Sequence, residues 1–303
     1  MTLEQTVTAE LAKAVDPRVA VFAAEIAARH PGSAGVLFYG SCLREAQLDG
    51  LMLDFYLIVE DYARAYDRAW LARANALLPP NVFHAEHDGL VAKYAVLSQA
   101  DLARETAGRT RSVSVWARFS QPSRLVWSRD REAAEAIGRA VAAAPATLMR
   151  AARPLLSDHT DIDTLWGEAF ALTYAAELRA EKKTRATGMT AFAPAWYRSL
   201  TGPALLAADI SFERDGDRIR LTDTPDRKQG RRAWSRRRRD GKAISIARLA
   251  KAVFTFDGGI DYLAWKINRH ADAGIEITPW QRRHPILAGI GLLPKLLRSG
   301  AVK

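Results

Sequence analysis

Two short apolar runs separated by a glycine–serine turn constrain the fold of this chain more than any other feature. Residues 35–39 and 51–59 have the length and composition of buried strands. The first run is followed directly by Gly40-Ser41, and the second carries a carboxylate, Asp54, in its middle. Because a lone charge is costly to bury, Asp54 needs a partner, and a divalent cation is a common one.

If the two strands are neighbours, the turn lies close to Asp54. Alternation along a strand then places Asp54 and Tyr56 on one face of the sheet. Gly40 has no side chain to keep the backbone away from a phosphate, and Ser41 adds a hydroxyl. The pattern therefore favours a Mg²⁺–triphosphate site. Two simpler interpretations stay open, since Gly-Ser often forms only a turn and an acid in a strand is often salt-bridged.

Periodicity predicts a mixed N-terminal half and a helical C-terminal half, with a boundary near residue 130. The expected elements of the first half are helices at 9–29 and 61–78 and strands at 91–97, 112–119 and 124–127. The expected elements of the second half are helices at 131–152, 161–183 and 189–208, broken by Pro145, Pro154 and Pro203, and a hairpin around Asp215-Gly216.

The positive charge is concentrated in one segment. The chain has 44 Lys+Arg and 34 Asp+Glu, a net charge of +10. Residues 227–251 contain eleven Lys/Arg and one acid, so the rest of the chain is neutral. Such a segment seeks phosphate, in nucleic acid, a nucleotide or anionic lipid, although a solvated arginine-rich loop is the plain alternative. Its candidate membrane contacts are Trp234, Arg236, Arg237, Arg238 and Arg239.

Residues 281–303 add five Lys/Arg, no acid and a set of apolar side chains, with Lys295 a further candidate lipid contact. They suit either the headgroup region of a bilayer or a terminal helix docked on the core. No apolar run is long enough to span a bilayer, and no secretory signal is evident. The single cysteine, Cys42, excludes a disulfide scaffold and a four-thiolate zinc site.

The motif Tyr39–Cys42, followed by Met52–Tyr56, resembles the signature of the polymerase-β-type nucleotidyltransferases. That signature normally has a second acid where this chain has Tyr56. The pair of motifs is similar to the Y-G-S-G turn and M-L/I-D-F strand of the mitochondrial-type phosphatidate cytidylyltransferases. Scattered further similarity to that family is found at Trp70, Asn75, 79–83, Lys93-Tyr94, 116–122 and 174–179.

The resemblance implies an α+β fold with a nucleotidyltransferase-type mixed sheet flanked by helices, followed by a helical C-terminal domain. The implied parts are a nucleotidyltransferase-like domain at 1–130, a helical domain completing the cleft at 131–225, and a basic amphipathic, membrane-facing segment at 226–303. The implied reaction converts CTP and phosphatidic acid into CDP-diacylglycerol and pyrophosphate.

The resemblance also suggests roles for individual residues. Asp54 and Glu177 would bind Mg²⁺, although Glu177 could equally be a surface acid paired with Lys182 or Arg179. The candidate nucleotide and phosphate ligands are Gly40, Ser41, Lys93, Arg118 and Arg179. We expect a cytoplasmic protein peripheral on the inner face of an anionic membrane, and nucleic acid is not the expected partner. Two alternatives remain: a nucleotidyltransferase acting on RNA or a small molecule, and a non-catalytic nucleic-acid-binding module.

Overall fold

A computed structural model of the chain describes residues 1–44, 48–177, 190–255 and 277–280. The α-helices are α1 (Leu3–Leu11), α2 (Pro17–Ala28), α3 (Tyr62–Ala65), α4 (Ala69–Leu77), α5 (Gln99–Thr106), α6 (Ser114–Phe119), α7 (Arg131–Ala152), α8 (Ile162–Ala176), α9 (Pro194–Ala207) and α10 (Arg227–Thr255). The strands are β1 (Ser33–Tyr39), β2 (Met52–Val59), β3 (Asn81–His87), β4 (Leu90–Ser98), β5 (Ser123–Ser128), β6 (His159–Asp161), β7 (Phe212–Asp215) and β8 (Arg218–Leu221).

The main sheet is mixed and has the strand order β3-β4-β2-β1-β5. Strand β2 pairs with β1 in an antiparallel ladder and with β4 in a parallel ladder. Strands β3 and β5 lie at the two edges and pair antiparallel with β4 and β1. The expected α+β class is confirmed at this level, because a five-stranded mixed sheet is flanked by helices.

Apolar side chains cover both faces of this sheet. Phe38 and Phe55 pack on one face with residues of α2 and α3. Leu37 and Tyr56 pack on the other face with residues of α1, α5, α6 and α7. The alternation expected for 51–59 is therefore confirmed, because Phe55 and Tyr56 belong to opposite faces.

The N-terminal helix differs from its expected extent. Residues 9–29 do not form one helix, because α1 ends at Leu11 and α2 begins at Pro17. The Asp16 carboxylate accepts a hydrogen bond from the Arg18 backbone N–H at 2.9 Å, which caps the new helix. Proline at the first helical position needs no intrahelical donor, so Asp16-Pro17 is a start signal. The segment 61–78 is likewise divided into α3 and α4.

The strand expected at 112–119 is wrong, because residues 114–119 form α6. The alternating sequence fits a strand, but Val115, Trp116 and Phe119 also fall on one side of a helix and are all buried. The Ser120 hydroxyl donates to the Trp116 carbonyl at 2.7 Å near the end of this helix. Burial of two large aromatic side chains thus outweighs the strand pattern.

The C-terminal half is not purely helical. The hairpin around Asp215-Gly216 is confirmed as β7 and β8, and β6 joins it to give the order β6-β8-β7. Pro145 and Pro203 lie inside α7 and α9 rather than between helices.

One continuous set of buried side chains crosses residue 130. It runs from Leu37 and Tyr56 in the sheet through Trp166 and Tyr197 in the helices to Trp234 in α10. The two halves therefore share a core. No helix within the described ranges is both long and apolar enough to cross a membrane.

Candidate active site

The glycine turn and the strand carboxylate lie against each other. The antiparallel register of β1 and β2 pairs Tyr39 with Asp54, so Gly40 follows at the edge of the ladder. Gly40 has φ +95°, and a Cβ on it would lie 2.8 Å from Oδ2 of Asp54. The turn can approach the carboxylate this closely only because residue 40 is glycine.

Lys93 lies on the other side of Asp54. The parallel register of β2 and β4 pairs the two residues directly. The Lys93 Nζ is 3.0 Å from Oδ1 of Asp54, with 38% of the lysine side chain and 17% of the aspartate side chain exposed. Oδ1 is buried and does not accept a well-aligned hydrogen bond, so the contact is chiefly electrostatic. The salt-bridged interpretation of Asp54 is therefore correct for one oxygen, whereas Oδ2 is next to the turn.

Arg118 lies over the same end of the sheet. Its Cζ is 4.5 Å from the centroid of the Tyr39 ring, which is a cation–π distance. Burial alone lowers the pKa of the Arg118 guanidinium, but Tyr39, Tyr56, Asp54 and Glu177 together raise it above its ordinary value. Arg118 therefore stays charged. Its Nε is buried and has no hydrogen-bond partner among the described residues.

Glu177 reaches this region from the helical half. It follows the last turn of α8, where its backbone N–H donates to the Tyr174 carbonyl at 3.4 Å. Its carboxylate acts on the charges of Arg118 and Tyr56, as Asp54 does on Arg118. Two carboxylates from different halves of the chain are thus within electrostatic reach of one guanidinium. The alternative for Glu177 is a surface acid paired with Lys182 or Arg179. Both of these residues lie outside the described residues.

The two residues after Gly40 have different environments. Ser41 is exposed and begins a short 3-10 helix, Ser41–Arg44, so its hydroxyl is at the surface of the turn. Cys42 is 4% exposed, and its thiol donates to the Met52 carbonyl at 3.2 Å. Cys42 thus ties the turn to β2 and is not a nucleophile at the surface.

Helix α10 is attached to the body through a stripe of small residues and one tryptophan. A Cβ on Gly230 would lie 2.3 Å from the Pro154 Cβ, and a Cβ on Gly241 would lie 2.1 Å from the Ala176 carbonyl oxygen. Between them Trp234 is fully buried and donates from Nε1 to the Ala151 carbonyl at 2.8 Å. The expectation that Trp234 contacts a membrane is therefore wrong.

The outer side of α10 carries the positive charge. Arg236, Arg238 and Arg239 are exposed, as expected for residues that contact an anionic surface. Arg237 is different, because it is half-buried and its Cζ lies 5.2 Å from the centroid of the Trp234 ring. Burial, and then the neighbouring Arg236, lower the pKa of the Arg237 guanidinium. The other exposed basic residues of this side are Lys228, Arg231, Arg232 and Lys242. Lys295, like Arg179, lies outside the described residues.

Two cations of α10 that sequence reasoning missed point inward. Arg248 contacts α5 and α6, and Lys251 donates to the Leu78 and Pro80 carbonyls. Helical spacing could have identified Arg248 as an inward residue. It lies 18 residues, or five helical turns, after Gly230 and therefore on the same face of α10. Charge alone had grouped Arg248 with the exposed arginines.

The described residues fit Mg²⁺ only in combination with the phosphates of a bound substrate. No group of three or more His, Cys, Asp or Glu side chains in the described part of the chain could hold a metal ion. Mg²⁺ is commonly bound by one or two carboxylates together with substrate phosphates and water. Asp54, beside the Gly40 turn, is a carboxylate of this kind.

No protein-family model matches the chain, and no curated protein matches it. The features that bear on function are therefore the geometry of this site and the resemblance of its motifs.

Proposed function

We propose that the protein is a Mg²⁺-dependent cytidylyltransferase that converts CTP and phosphatidic acid into CDP-diacylglycerol and pyrophosphate. The observation that carries the proposal is the contact between the Gly40 turn and Oδ2 of Asp54. This contact brings a phosphate-binding backbone next to a carboxylate suited to Mg²⁺. The cytosine base and the lipid acceptor are taken from the resemblance of the motifs around Gly40 and Asp54.

The reaction requires little from the protein beyond positioning and charge neutralisation. An oxygen of the phosphatidate phosphate forms a bond to the α-phosphorus of CTP. The bond from that phosphorus to the bridging oxygen of the β-phosphate breaks, and its electron pair leaves with pyrophosphate. A phosphate monoester is already anionic near neutral pH, so no general base is needed to create the nucleophile.

Each group of the site has a role in this scheme. The Gly40-Ser41 turn binds the β- and γ-phosphates through backbone N–H groups and the exposed hydroxyl. Asp54 would hold Mg²⁺, which would neutralise charge on the triphosphate, and Glu177 is the candidate second carboxylate. Lys93 and Arg118 supply fixed positive charge on either side of Asp54. Such preorganised cations favour the charge that develops on the leaving phosphates.

The lipid acceptor requires the protein to work at a membrane surface. The exposed arginines of α10 give a surface that attracts anionic headgroups. Because Gly230, Trp234 and Gly241 attach the opposite side of α10 to the core, the basic side is held facing outward. We propose that this side rests on the anionic face of a membrane in the cytoplasm.

A pyrophosphate-release assay tests the proposed reaction. The full chain with Mg²⁺, CTP and phosphatidic acid should release pyrophosphate and form CDP-diacylglycerol, and Asp54→Asn should lower turnover by roughly 100-fold or more. Asp88→Asn is a matched control, because Asp88 is exposed at a turn with φ +50°, a conformation that asparagine accepts. Full activity in Asp54→Asn, or release only with another nucleotide and acceptor, would show that the proposal is wrong.

The basic side of α10 also favours a second candidate, a nucleotidyltransferase that acts on RNA. Binding of RNA would depend steeply on salt, because it is dominated by phosphate contacts. Lipid binding would keep a salt-resistant part if apolar groups insert. Competition between RNA and anionic vesicles at two salt concentrations distinguishes the candidates.

A further inference from the structure

Two guanidinium groups from distant parts of the sequence meet near Tyr56. Arg118 comes from α6 and Arg248 from α10. Arg248 donates to the Ser114 hydroxyl at 3.1 Å, and Ser114 lies one helical turn before Arg118 on α6. Arg118 lies over the Tyr39 ring, whose centroid is 5.3 Å from that of the Tyr56 ring. Both guanidinium groups therefore lie on the sheet face that carries Tyr56 and Asp54.

Arg248 is held in a fixed orientation by its neighbours. Its Nη1 donates to the hydroxyls of Ser112 and Ser114, each at 3.1 Å. Its Nη2 is 3.8 Å from Oε1 of Glu105, and only 18% of the arginine side chain is exposed. Because two serines fix one end of the planar group, the direction of its remaining donors is fixed as well.

Both guanidinium groups have an unused donor. The Nε atoms of Arg118 and Arg248 are buried and have no hydrogen-bond partner in the described ranges. A buried donor left unpaired is costly, and more so when it is charged. Two such donors on one side of α6 leave room for an acceptor other than the described residues.

The nearby Glu105 carboxylate does not accept a hydrogen bond from either Nε. Burial raises the pKa of the Glu105 carboxyl, and one of its oxygens already accepts from the Thr110 hydroxyl at 3.0 Å. Its other oxygen lies beyond hydrogen-bond distance of Arg248. Glu177 also lies within electrostatic reach of Arg118, but neither Nε has a hydrogen-bond partner among the described residues. A phosphate dianion has several oxygens and can accept hydrogen bonds from two guanidinium groups.

We propose that Arg118 and Arg248 together form a subsite for a phosphate monoester. The inference rests on the proposed function in one respect: the monoester is the headgroup of the lipid acceptor. Arg118 lies over the ring of Tyr39, which pairs with Asp54 across β1 and β2, so the subsite is next to the proposed triphosphate site. The subsite would also give α10 a role at the proposed active site, since α10 supplies one of the two arginines.

Titration calorimetry of the full chain, without nucleotide, tests the subsite. The soluble probes are dihexanoyl phosphatidic acid, glycerol 3-phosphate and inorganic phosphate, with dihexanoyl phosphatidylglycerol as a phosphodiester control. Wild-type protein should bind the monoesters at least about tenfold more tightly than the diester, because the dianion can satisfy both arginines. Equal binding of monoester and diester would overturn the proposal.

Variants locate the binding site. Arg248→Gln should weaken monoester binding by roughly tenfold or more, the scale of one charged hydrogen-bonded contact, and should leave the affinity for Mg²⁺-CTP within about twofold of wild type. Arg139→Gln, an exposed arginine of α7, should change neither affinity. Unchanged monoester affinity in Arg248→Gln, or an equal loss for nucleotide and monoester, would overturn the proposal.

A second variant keeps the test valid if Arg248→Gln fails to fold. Glu105→Gln keeps the shape of the side chain but removes a negative charge near Arg248, so monoester binding should become several-fold tighter. Weaker or unchanged binding would count against the subsite. If glycerol 3-phosphate binds as tightly as the lipid probe and no CDP-diacylglycerol forms in the assay above, the subsite stands and the proposed lipid reaction fails.

Discussion

Glycine is required at position 40 for two separate reasons. Its φ of +95° disfavours any other residue, and a Cβ would lie 2.8 Å from Oδ2 of Asp54. Gly50 shares only the first reason, since its φ is +76° and nothing lies within 4 Å of an added Cβ. Comparing alanine at the two positions therefore separates backbone strain from the contact with Asp54.

Gly50→Ala should lower the free energy of unfolding by about 1–2 kcal/mol, the cost of a left-handed conformation. Gly40→Ala should lower it by about 1–3 kcal/mol more, because the methyl group displaces Asp54. Urea unfolding at constant pH measures both values. Equal losses in the two variants would show that the close contact with Asp54 does not exist.

Lys251 is a partly buried cation whose charge opposes folding at low pH. Burial, and then Arg248, lower the pKa of the Lys251 amine from 10.5 to about 7. Between pH 7 and pH 10.5 the Lys251 amine is protonated in the unfolded chain but not in the folded chain. The free energy of unfolding therefore contains a part that rises with pH in this window.

Removal of the amine should remove this dependence. Relative to Lys251→Met, wild-type protein should gain stability from pH 7 toward pH 10.5, by an amount on the order of a few kcal/mol. Urea unfolding of both proteins across the window is the measurement. Parallel pH profiles for the two proteins would mean that Lys251 stays charged in the folded chain.

Residues that act within one strand pair could be predicted from the sequence. The neighbourhood of Gly40 and Asp54 followed from two adjacent apolar runs, and the structure confirms it. Arg248 could not be assigned in this way, because its partners Ser112 and Ser114 are more than a hundred residues away. Only the packing of α10 brings them together.

At the scale of elements, the attachment of α10 depends on two glycines. Gly241→Ala would place a methyl group against the Ala176 carbonyl, and we expect a loss of about 1–3 kcal/mol in the free energy of unfolding. Gly138→Ala is the matched control in α7, where the nearest atom, Oγ1 of Thr8, is 3.5 Å from an added Cβ. There alanine should stabilise the helix by up to about 1 kcal/mol. Stabilisation by both substitutions would show that α10 is not packed closely on α8.

Helix α6 was wrongly predicted as a strand and β3 was missed, for two different reasons. Residues 112–119 satisfy both strand alternation and a helical face, and burial of Trp116 and Phe119 decides for the helix. Strand β3 was not expected because it is an edge strand with several polar residues, Asn81, His84, Glu86 and His87 among them. Its pairing with β4 supplies the backbone hydrogen bonds that its composition does not suggest.

In the whole molecule, most of the basic residues that cluster at 227–251 lie on one exposed surface, the outer side of α10. Substituting Arg232, Arg236 and Arg239 by glutamine should weaken binding to phosphatidylglycerol-containing vesicles by roughly 1 kcal/mol per charge. A control triple at the exposed residues Arg109, Arg139 and Arg218 removes the same charge elsewhere and should have little effect. Vesicle co-sedimentation measures both. Equal losses in the two triples would mean that only net charge matters.

The Mg²⁺ dependence of CTP binding tests most directly whether Asp54 and the Gly40 turn form a Mg²⁺–triphosphate site. Titration calorimetry of wild-type protein with and without Mg²⁺ should show CTP binding at least about tenfold more tightly with the metal, because Asp54 and the Gly40 turn hold the metal and the phosphates together. Asp54→Asn should lose this difference while keeping its thermal unfolding midpoint. If wild type shows no Mg²⁺ dependence, or Asp54→Asn retains it in full, Asp54 and the Gly40 turn do not form a Mg²⁺–triphosphate site.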